Sequence, residues 1–127
     1  MSVREIKEAE WDEMVLSGDN VVAADFWATW CGPCRQSGPI FEEVSDDYPD
    51  IKFFTVNVDE EANLAAKHGI RSIPLIKFFC SGLEVGQVIG YKPKEQLKQD
   101  IERILSEHQE CIKNSSKVGE FKPPSVE

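Results

Sequence analysis

The chain has 127 residues and a net charge of −9, with 41% hydrophobic and 29% charged residues. A chain of this length fits one domain and can bury enough surface to form its own hydrophobic core. The 14 basic residues form no dense run, so a nucleic acid is disfavoured as a partner. No stretch approaches the roughly 20 apolar residues of a membrane span, and the charged N-terminus lacks an apolar signal core. We therefore expect a cytoplasmic monomer that binds no membrane.

The first half of the chain alternates strand and helix patterns. Val3–Ile6 predicts a short edge strand, and apolar residues at helical spacing predict a helix over Lys7–Leu16. The nearly continuous apolar run Val21–Trp27 is typical of a central strand buried on both faces, and Asp25 is the one charged residue in it. A second helix follows and ends at Pro49.

The second half begins with a predicted strand over Ile51–Val58, and Asp59 is a candidate N-cap for the next helix. The remaining predicted elements are a helix over Glu60–His68, a strand over Pro74–Phe79, a turn at Cys80–Gly82, a returning strand over Leu83–Ile89 and a final amphipathic helix that contains Leu97, Ile101, Ile104 and Leu105. This order predicts an α/β fold, a three-layer sandwich with a mixed, mostly parallel central sheet that ends in an antiparallel hairpin. We expect one domain over residues 1–109 and a flexible tail over residues 110–127.

Cys31 and Cys34 are separated by two residues and follow the strand Val21–Trp27 directly. They therefore lie where a strand gives way to a helix, and Pro33 suits the first helical turn because its missing N–H needs no partner there. A helix N-terminus favours a thiolate, so we expect Cys31, the outer and exposed cysteine, to attack a partner's disulfide. Cys34 lies about one turn further on, faces inward and resolves the mixed disulfide.

Asp25 is the candidate base for that second step. It lies six residues before Cys31 in a strand predicted to be buried, and burial raises the pKa of a carboxyl group toward a working range. The alternative is a carboxylate that is merely tolerated at a strand end, although an unpaired buried charge is costly.

The other two cysteines, Cys80 and Cys111, each stand alone in the sequence. We expect both to be free thiols, Cys80 exposed in a hairpin turn and Cys111 at the start of the tail. Regulatory oxidation and an intermolecular disulfide are the alternatives. Because no second ligand pair accompanies Cys31 and Cys34, we expect no metal site. We also expect no cofactor other than the redox-active dithiol itself.

The segment Asp25–Cys34, which reads DFWATWCGPC, resembles the active-site signature of the thioredoxin family. The likeness extends over about residues 2–109. Further matching positions are Pro39, Asn57–Asp59, Gly69–Pro74, Gly82 and Gly90. The resemblance implies a thioredoxin-like sandwich and a protein-disulfide oxidoreductase that carries electrons.

The resemblance also implies a cis peptide bond before Pro74, with that proline beside the cysteine pair. It further implies a shallow apolar surface on which disulfide-containing client proteins dock through backbone contacts. The residues of this docking surface are Trp30, Gly32, Pro33, Ile73, Pro74 and Gly90, with Tyr91 as an extension. For Trp30 the alternative is ordinary core packing, because large aromatic side chains usually serve the core.

Two positions depart from the family pattern. Thr55 stands where bacterial thioredoxins often have a lysine near the buried aspartate, which leaves the pKa tuning of Asp25 open. Leu75 replaces the threonine that commonly follows the cis-proline, a change that affects partner choice rather than the chemistry.

The sequence thus predicts a general protein-disulfide reductase. It contains no Gly-rich nucleotide or flavin motif, so we expect a separate thioredoxin reductase, NADPH- or ferredoxin-linked, to recharge it. One alternative is a disulfide oxidase or isomerase, which Gly32-Pro33 between the cysteines disfavours. Another is a non-catalytic binding module that uses the apolar surface around Trp30 and Pro74.

Overall fold

The computed structural model describes residues 3–17 and 20–113, and its five strands form one sheet in the order β1-β3-β2-β4-β5. The strands are β1 (Val3–Glu5), β2 (Val21–Trp27), β3 (Ile51–Asn57), β4 (Leu75–Cys80) and β5 (Leu83–Ile89). The helices are α1 (Glu8–Trp11), α2 (Gly32–Asp47), α3 (Ala62–Lys67), α4 (Lys94–Glu107) and α5 (Gln109–Lys113). The predicted first helix is α-helical only over α1 and continues as a π-helical segment over Asp12–Leu16.

The sheet is mixed, as predicted. β1 and β2 both pair with β3 in parallel, whereas β4 runs antiparallel to β2 and to β5. Ser81 and Gly82 form the turn of the β4–β5 hairpin, both with positive φ. Gly82 has φ 84°, and a Cβ there would lie 2.5 Å from the carbonyl oxygen of Leu16, so a larger residue would clash with the backbone.

β2 lies at the centre of the sheet and is buried on both faces, which confirms its predicted position. On one face, Val21 and Ala23 belong to a core that α2 and α4 cover. On the other face, Val22 and Ala24 belong to a core that α1 and α3 cover. Because successive side chains of a strand point to opposite faces, one apolar strand joins the two cores into a three-layer sandwich.

The end of the described chain differs from the prediction. Cys80 is the last residue of β4, is fully buried, and forms a disulfide with Cys111 in α5. The prediction of two free thiols is therefore wrong, and so is the exposed position of Cys80. The two residues are 31 positions apart, but α4 packs along the sheet and returns the chain to β4, where their Cα atoms lie 6.4 Å apart.

α5 crosses the predicted boundary at residue 109, and residues 114–127 of the predicted tail lie outside the described residues. The domain boundary therefore stays a prediction. None of the helices in the ranges 3–17 and 20–113 is long and apolar enough to cross a membrane.

Candidate active site

A disulfide between Cys31 and Cys34 lies at the junction of β2 and α2, with its Cα atoms 5.3 Å apart. Cys31 is the N-cap residue of α2, and its Sγ accepts a hydrogen bond from the N–H of Cys34 at 3.2 Å. Pro33 lies in the first turn of the helix. The predicted strand-to-helix placement is confirmed. Because the start of a helix favours negative charge, the same contact stabilises a thiolate on Cys31 once the disulfide is reduced.

Both cysteines are buried, with 4% of Cys31 and 6% of Cys34 exposed. The expectation of an exposed Cys31 is therefore wrong for the disulfide form. The two residues form a small apolar cluster with Ala28, and Val58 and Ile73 pack against that cluster. Access of another molecule to the sulfur of Cys31 thus depends on these neighbouring side chains.

The loop before β4 provides one of those neighbours. Its Ile73–Pro74 peptide bond is cis, which confirms what the family resemblance implied. The carbonyl oxygen of Ile73 lies 3.7 Å from Sγ of Cys31. The N–H of Gly90 donates a hydrogen bond to the carbonyl oxygen of Pro74 at 2.8 Å. These contacts bring three of the predicted docking residues to the same edge of the sheet as the disulfide, although Pro74 itself is buried.

Trp30 lies on the surface, 64% exposed, which excludes core packing as its role. Its indole Nε1 donates a hydrogen bond to Oδ2 of Asp59 at 2.8 Å. Gly32, Pro33 and Tyr91 are also exposed. The neighbourhood of the disulfide therefore presents a large apolar side chain that a hydrogen bond holds in place.

Asp59 was predicted to cap the next helix, and that prediction is wrong. The N-cap residue of α3 is Glu61. The turn before α3 is instead closed by Asn57, whose Oδ1 accepts hydrogen bonds from the N–H groups of Asp59 at 2.9 Å and Glu60 at 3.2 Å. This turn directs the Asp59 carboxylate toward Trp30. The signal available in the sequence was the position of Asp59 just beyond the end of β3, the strand beside β2, because the carboxyl ends of parallel neighbours meet at one edge of the sheet.

Asp25 is 3% exposed, and burial raises its pKa from 3.8 to about 7. Its Oδ1 has no hydrogen-bond partner among the described residues. Asp25 and Cys34 both line an open cleft of about 630 Å³ beside α2. The structure therefore brings the predicted base and the predicted resolving cysteine to one cavity.

Position 55 faces the buried carboxyl group, as the family pattern suggested. Thr55 on β3 is in register with Asp25 on β2, and Glu5 on β1 is in register with Thr55. All three residues line the cleft. Burial alone accounts for the raised pKa of Asp25, and a threonine adds no positive charge that would oppose it.

Comparison with known proteins gives consistent results. A family model described as Thioredoxin matches residues 2–103. The chain is 42% identical over 104 residues to the chloroplastic M-type thioredoxin of Pisum sativum. This alignment covers 81% of the chain but only 60% of the pea protein. The chain is also 39% identical over 107 residues to a thioredoxin of Porphyra purpurea. That alignment covers 84% of the chain and 100% of the algal protein.

A solved structure, the Malassezia sympodialis thioredoxin Mala s 13, matches with a TM-score of 0.73 at 39% sequence identity. The match covers 80% of the chain and 90% of the Malassezia protein. The family model, the relatives and this solved structure all identify the chain as similar to thioredoxins, which is consistent with the cysteine pair at the start of α2. The chain belongs to the thioredoxin family.

Proposed function

We propose that the chain is a general protein-disulfide reductase that acts by thiol-disulfide exchange. The observation that carries the proposal is the position of Cys31 Sγ at the start of α2, where it accepts a hydrogen bond from the N–H of Cys34. In the reduced protein this arrangement favours the Cys31 thiolate, which attacks one sulfur of a client's disulfide. A mixed disulfide forms, and the client's other sulfur leaves as a thiolate and takes up a proton.

Cys34 completes the cycle. Its Cα lies 5.3 Å from that of Cys31, close enough for the two sulfurs to bond. Asp25 accepts the proton of the Cys34 thiol, and Cys34 then attacks Cys31, which releases the reduced client. The shared cleft and the raised pKa of Asp25 support this role, since a base works best when its pKa lies near the working pH.

Client proteins dock on the surface around Trp30, Gly32, Pro33 and Ile73. Exposure of Trp30 and the exposed backbone at Gly32 support this assignment. A separate thioredoxin reductase, NADPH- or ferredoxin-linked, returns two electrons to the Cys31–Cys34 disulfide. The cytoplasmic location and the lack of a bound cofactor stay predictions.

Reduction of insulin disulfides with dithiothreitol as electron source tests the proposal. We expect the wild-type chain to accelerate the reaction and Cys31→Ser and Cys34→Ser variants to lose the acceleration. Cys111→Ser is the matched control, because it also replaces a disulfide cysteine by serine but leaves the Cys31–Cys34 pair intact. A wild-type rate equal to that of the two active-site variants would exclude a reductase.

The exposed Trp30 also supports a second candidate, a binding module that docks a partner without redox chemistry. A chain with both Cys31 and Cys34 replaced by serine distinguishes the two candidates in cells. Loss of the cellular function in that variant supports the reductase, and retention supports the binding module.

A further inference from the structure

The Cys80–Cys111 disulfide lies far from the candidate active site. Cys80 is in register with Val21, the first residue of β2, whereas Cys31 lies beyond Trp27, the last residue of that strand. Six residue steps separate the two ends of β2, which is about 20 Å at the rise of an extended strand. The Cys31–Cys34 pair of one molecule therefore cannot reach the Cys80–Cys111 disulfide of the same molecule.

This second disulfide holds α5 on the sheet. α5 has five residues, too few for a stable helix without support from the rest of the protein. Cys111 packs against the core that α2 and α4 cover. Among the described side chains of α5, which are Gln109, Glu110 and Cys111, none makes a hydrogen bond or an ion pair with another element. The covalent bond to Cys80 is thus the main described link between α5 and β4.

The two sulfurs differ in accessibility. Cys80 is 0% exposed, whereas Cys111 is half-buried at the edge of the protein. Of the two residues, Cys111 is therefore the one that a thiolate from another molecule can approach. After the bond breaks, Cys80 is left as a thiol inside the core, where a free cysteine behaves as a small apolar residue. The sheet can keep its packing in both redox states.

We propose that the Cys80–Cys111 disulfide is a second redox site, a latch that holds α5 on the sheet and opens when a protein dithiol attacks Cys111. The dithiol of a second copy of this chain is a suitable reductant, and this part rests on the proposed reductase function. Its Cys31 thiolate attacks Sγ of Cys111, a bond forms between these sulfurs, and the Cys80–Cys111 bond breaks. Cys80 leaves as a thiolate and takes up a proton.

The second copy's Cys34 then loses its proton to Asp25 and attacks Cys31, which releases Cys111 as a thiolate that is protonated in turn. One dithiol has been oxidised and one disulfide reduced, so electrons and protons balance. α5 loses its covalent link to β4, while the candidate active site, at the other end of the sheet, keeps its structure.

The experiment uses two full-length variants. The substrate is the Cys31→Ser, Cys34→Ser double variant, which retains only the Cys80–Cys111 disulfide. The reductant is reduced Cys111→Ser protein, in which the remaining Cys80 is buried. Alkylation and mass spectrometry follow the thiols, and amide hydrogen exchange follows residues 109–113 and β4. After an acid quench and alkylation of the unfolded chains, we expect the intact mass of the double variant to show that both of its cysteines are alkylated. In the native protein, the amides of residues 109–113 should exchange at least about tenfold faster, with β4 unchanged.

Several results would overturn the latch. They are free thiols at Cys80 and Cys111 before the reductant is added, reduction without faster exchange of residues 109–113, and faster exchange throughout β4. An insulin assay with the same Cys111→Ser protein separates the two proposals. Reduction of insulin without reduction of the Cys80–Cys111 disulfide overturns the latch alone, whereas reduction of neither overturns both. A Cys111→Ala reductant replaces Cys111→Ser if the latter fails to fold.

Discussion

The two disulfides of this protein lie at opposite ends of one sheet and differ in almost every physical respect. Cys31 and Cys34 are three residues apart, close the first turn of α2 and border a cleft that contains a buried carboxyl group. Cys80 and Cys111 are 31 residues apart and join the end of β4 to a short helix. Cys31 lies at a helix N-terminus, which favours a thiolate, whereas Cys80 lies among apolar core residues.

This difference shows that the same covalent bond serves two purposes. In the chain-entropy model, a disulfide stabilises the fold by restricting the unfolded chain, by about 2 kcal/mol for the short Cys31–Cys34 loop and about 4 kcal/mol for the long Cys80–Cys111 loop. The candidate active site also contains Asp25, whose burial opposes folding at neutral pH. The Cys80–Cys111 disulfide therefore stabilises the fold, whereas the burial of Asp25 at the candidate active site lowers the stability of the fold.

The largest expected effect is a difference in insulin reduction between variants of the two disulfides. Cys31→Ser removes the attacking sulfur and should lower the rate of insulin reduction at least about 1,000-fold, because no other group supplies the nucleophile. Cys111→Ser should keep the rate within about twofold, since it lies at the other end of the sheet. A large loss in Cys111→Ser would show that the two ends are not independent.

Asp25→Asn tests the cost of the buried carboxyl group. Below about pH 3 the carboxyl group is protonated in both the folded and the unfolded chain. Between about pH 4 and 7 the unfolded chain ionises while the folded chain stays protonated, so the wild type loses stability as pH rises. Asparagine removes this loss, and we expect the free energy of unfolding to increase by up to about 4 kcal/mol at pH 8 and by little at pH 4.

The same variant should slow the resolving step by about 100-fold, because asparagine cannot accept the proton of Cys34. Urea unfolding at several pH values measures the stability, and insulin reduction measures the rate. Equal stability gains at pH 4 and pH 8 would contradict the raised pKa of Asp25.

Cys111→Ser tests how much the Cys80–Cys111 disulfide stabilises the fold. Loss of the disulfide that closes the long loop should lower the free energy of unfolding by about 2 to 4 kcal/mol, compared with oxidised wild-type protein. Cys31→Ser is the matched control, and its loss should be smaller because the loop it opens is short. Urea unfolding without reductant measures both variants. A larger loss in Cys31→Ser would reverse the roles assigned to the two disulfides.

Thr55→Lys adds a positive charge beside Asp25 and should lower the pKa of that carboxyl group by about one unit, because a nearby cation favours the ionised form. A pH titration of the Asp25 carboxyl carbon by NMR measures the shift. Thr55→Val is the control, since it has nearly the same volume and no charge, and should not lower the pKa. An unchanged pKa in the lysine variant would show that position 55 does not face Asp25.

Asp59→Ala removes the hydrogen-bond partner of Trp30 and is expected to have the smallest effect. The free energy of unfolding should fall by no more than about 1 kcal/mol, because both side chains are exposed. If Trp30 contacts clients, its looser position should raise the KM for a protein substrate a few-fold and leave the reduction of small disulfides unchanged. Equal effects on both substrates would argue against a docking role for Trp30.

Periodicity and local motifs were enough to predict β2, α2, the β4–β5 hairpin and α4. The apolar run of β2 requires a strand with two covered faces, and the pattern of Leu97, Ile101 and Leu105 requires one buried helix face. The spacing of Cys31 and Cys34 also implied their bond. In these cases the residues that interact are close in the chain or recur at a regular interval.

The incorrect predictions involve residues that are distant in the chain. Nothing near Cys80 or Cys111 indicates their pairing, which depends on the length of α4 and on how it packs on the sheet. The bond between Asp59 and Trp30 depends likewise on the neighbouring ends of β2 and β3. The burial of Cys31 depends on the loop that carries Ile73.

By itself, the sequence determined the order of the elements and the reactive pair at the start of α2, because helix geometry and short spacing control both. Only the tertiary structure decided which cysteines form the second disulfide, how deeply Cys31 is buried and which residue faces Asp25. Those properties arise where segments far apart in the chain pack together, and the free energy that selects such contacts comes from the whole core rather than from any local pattern.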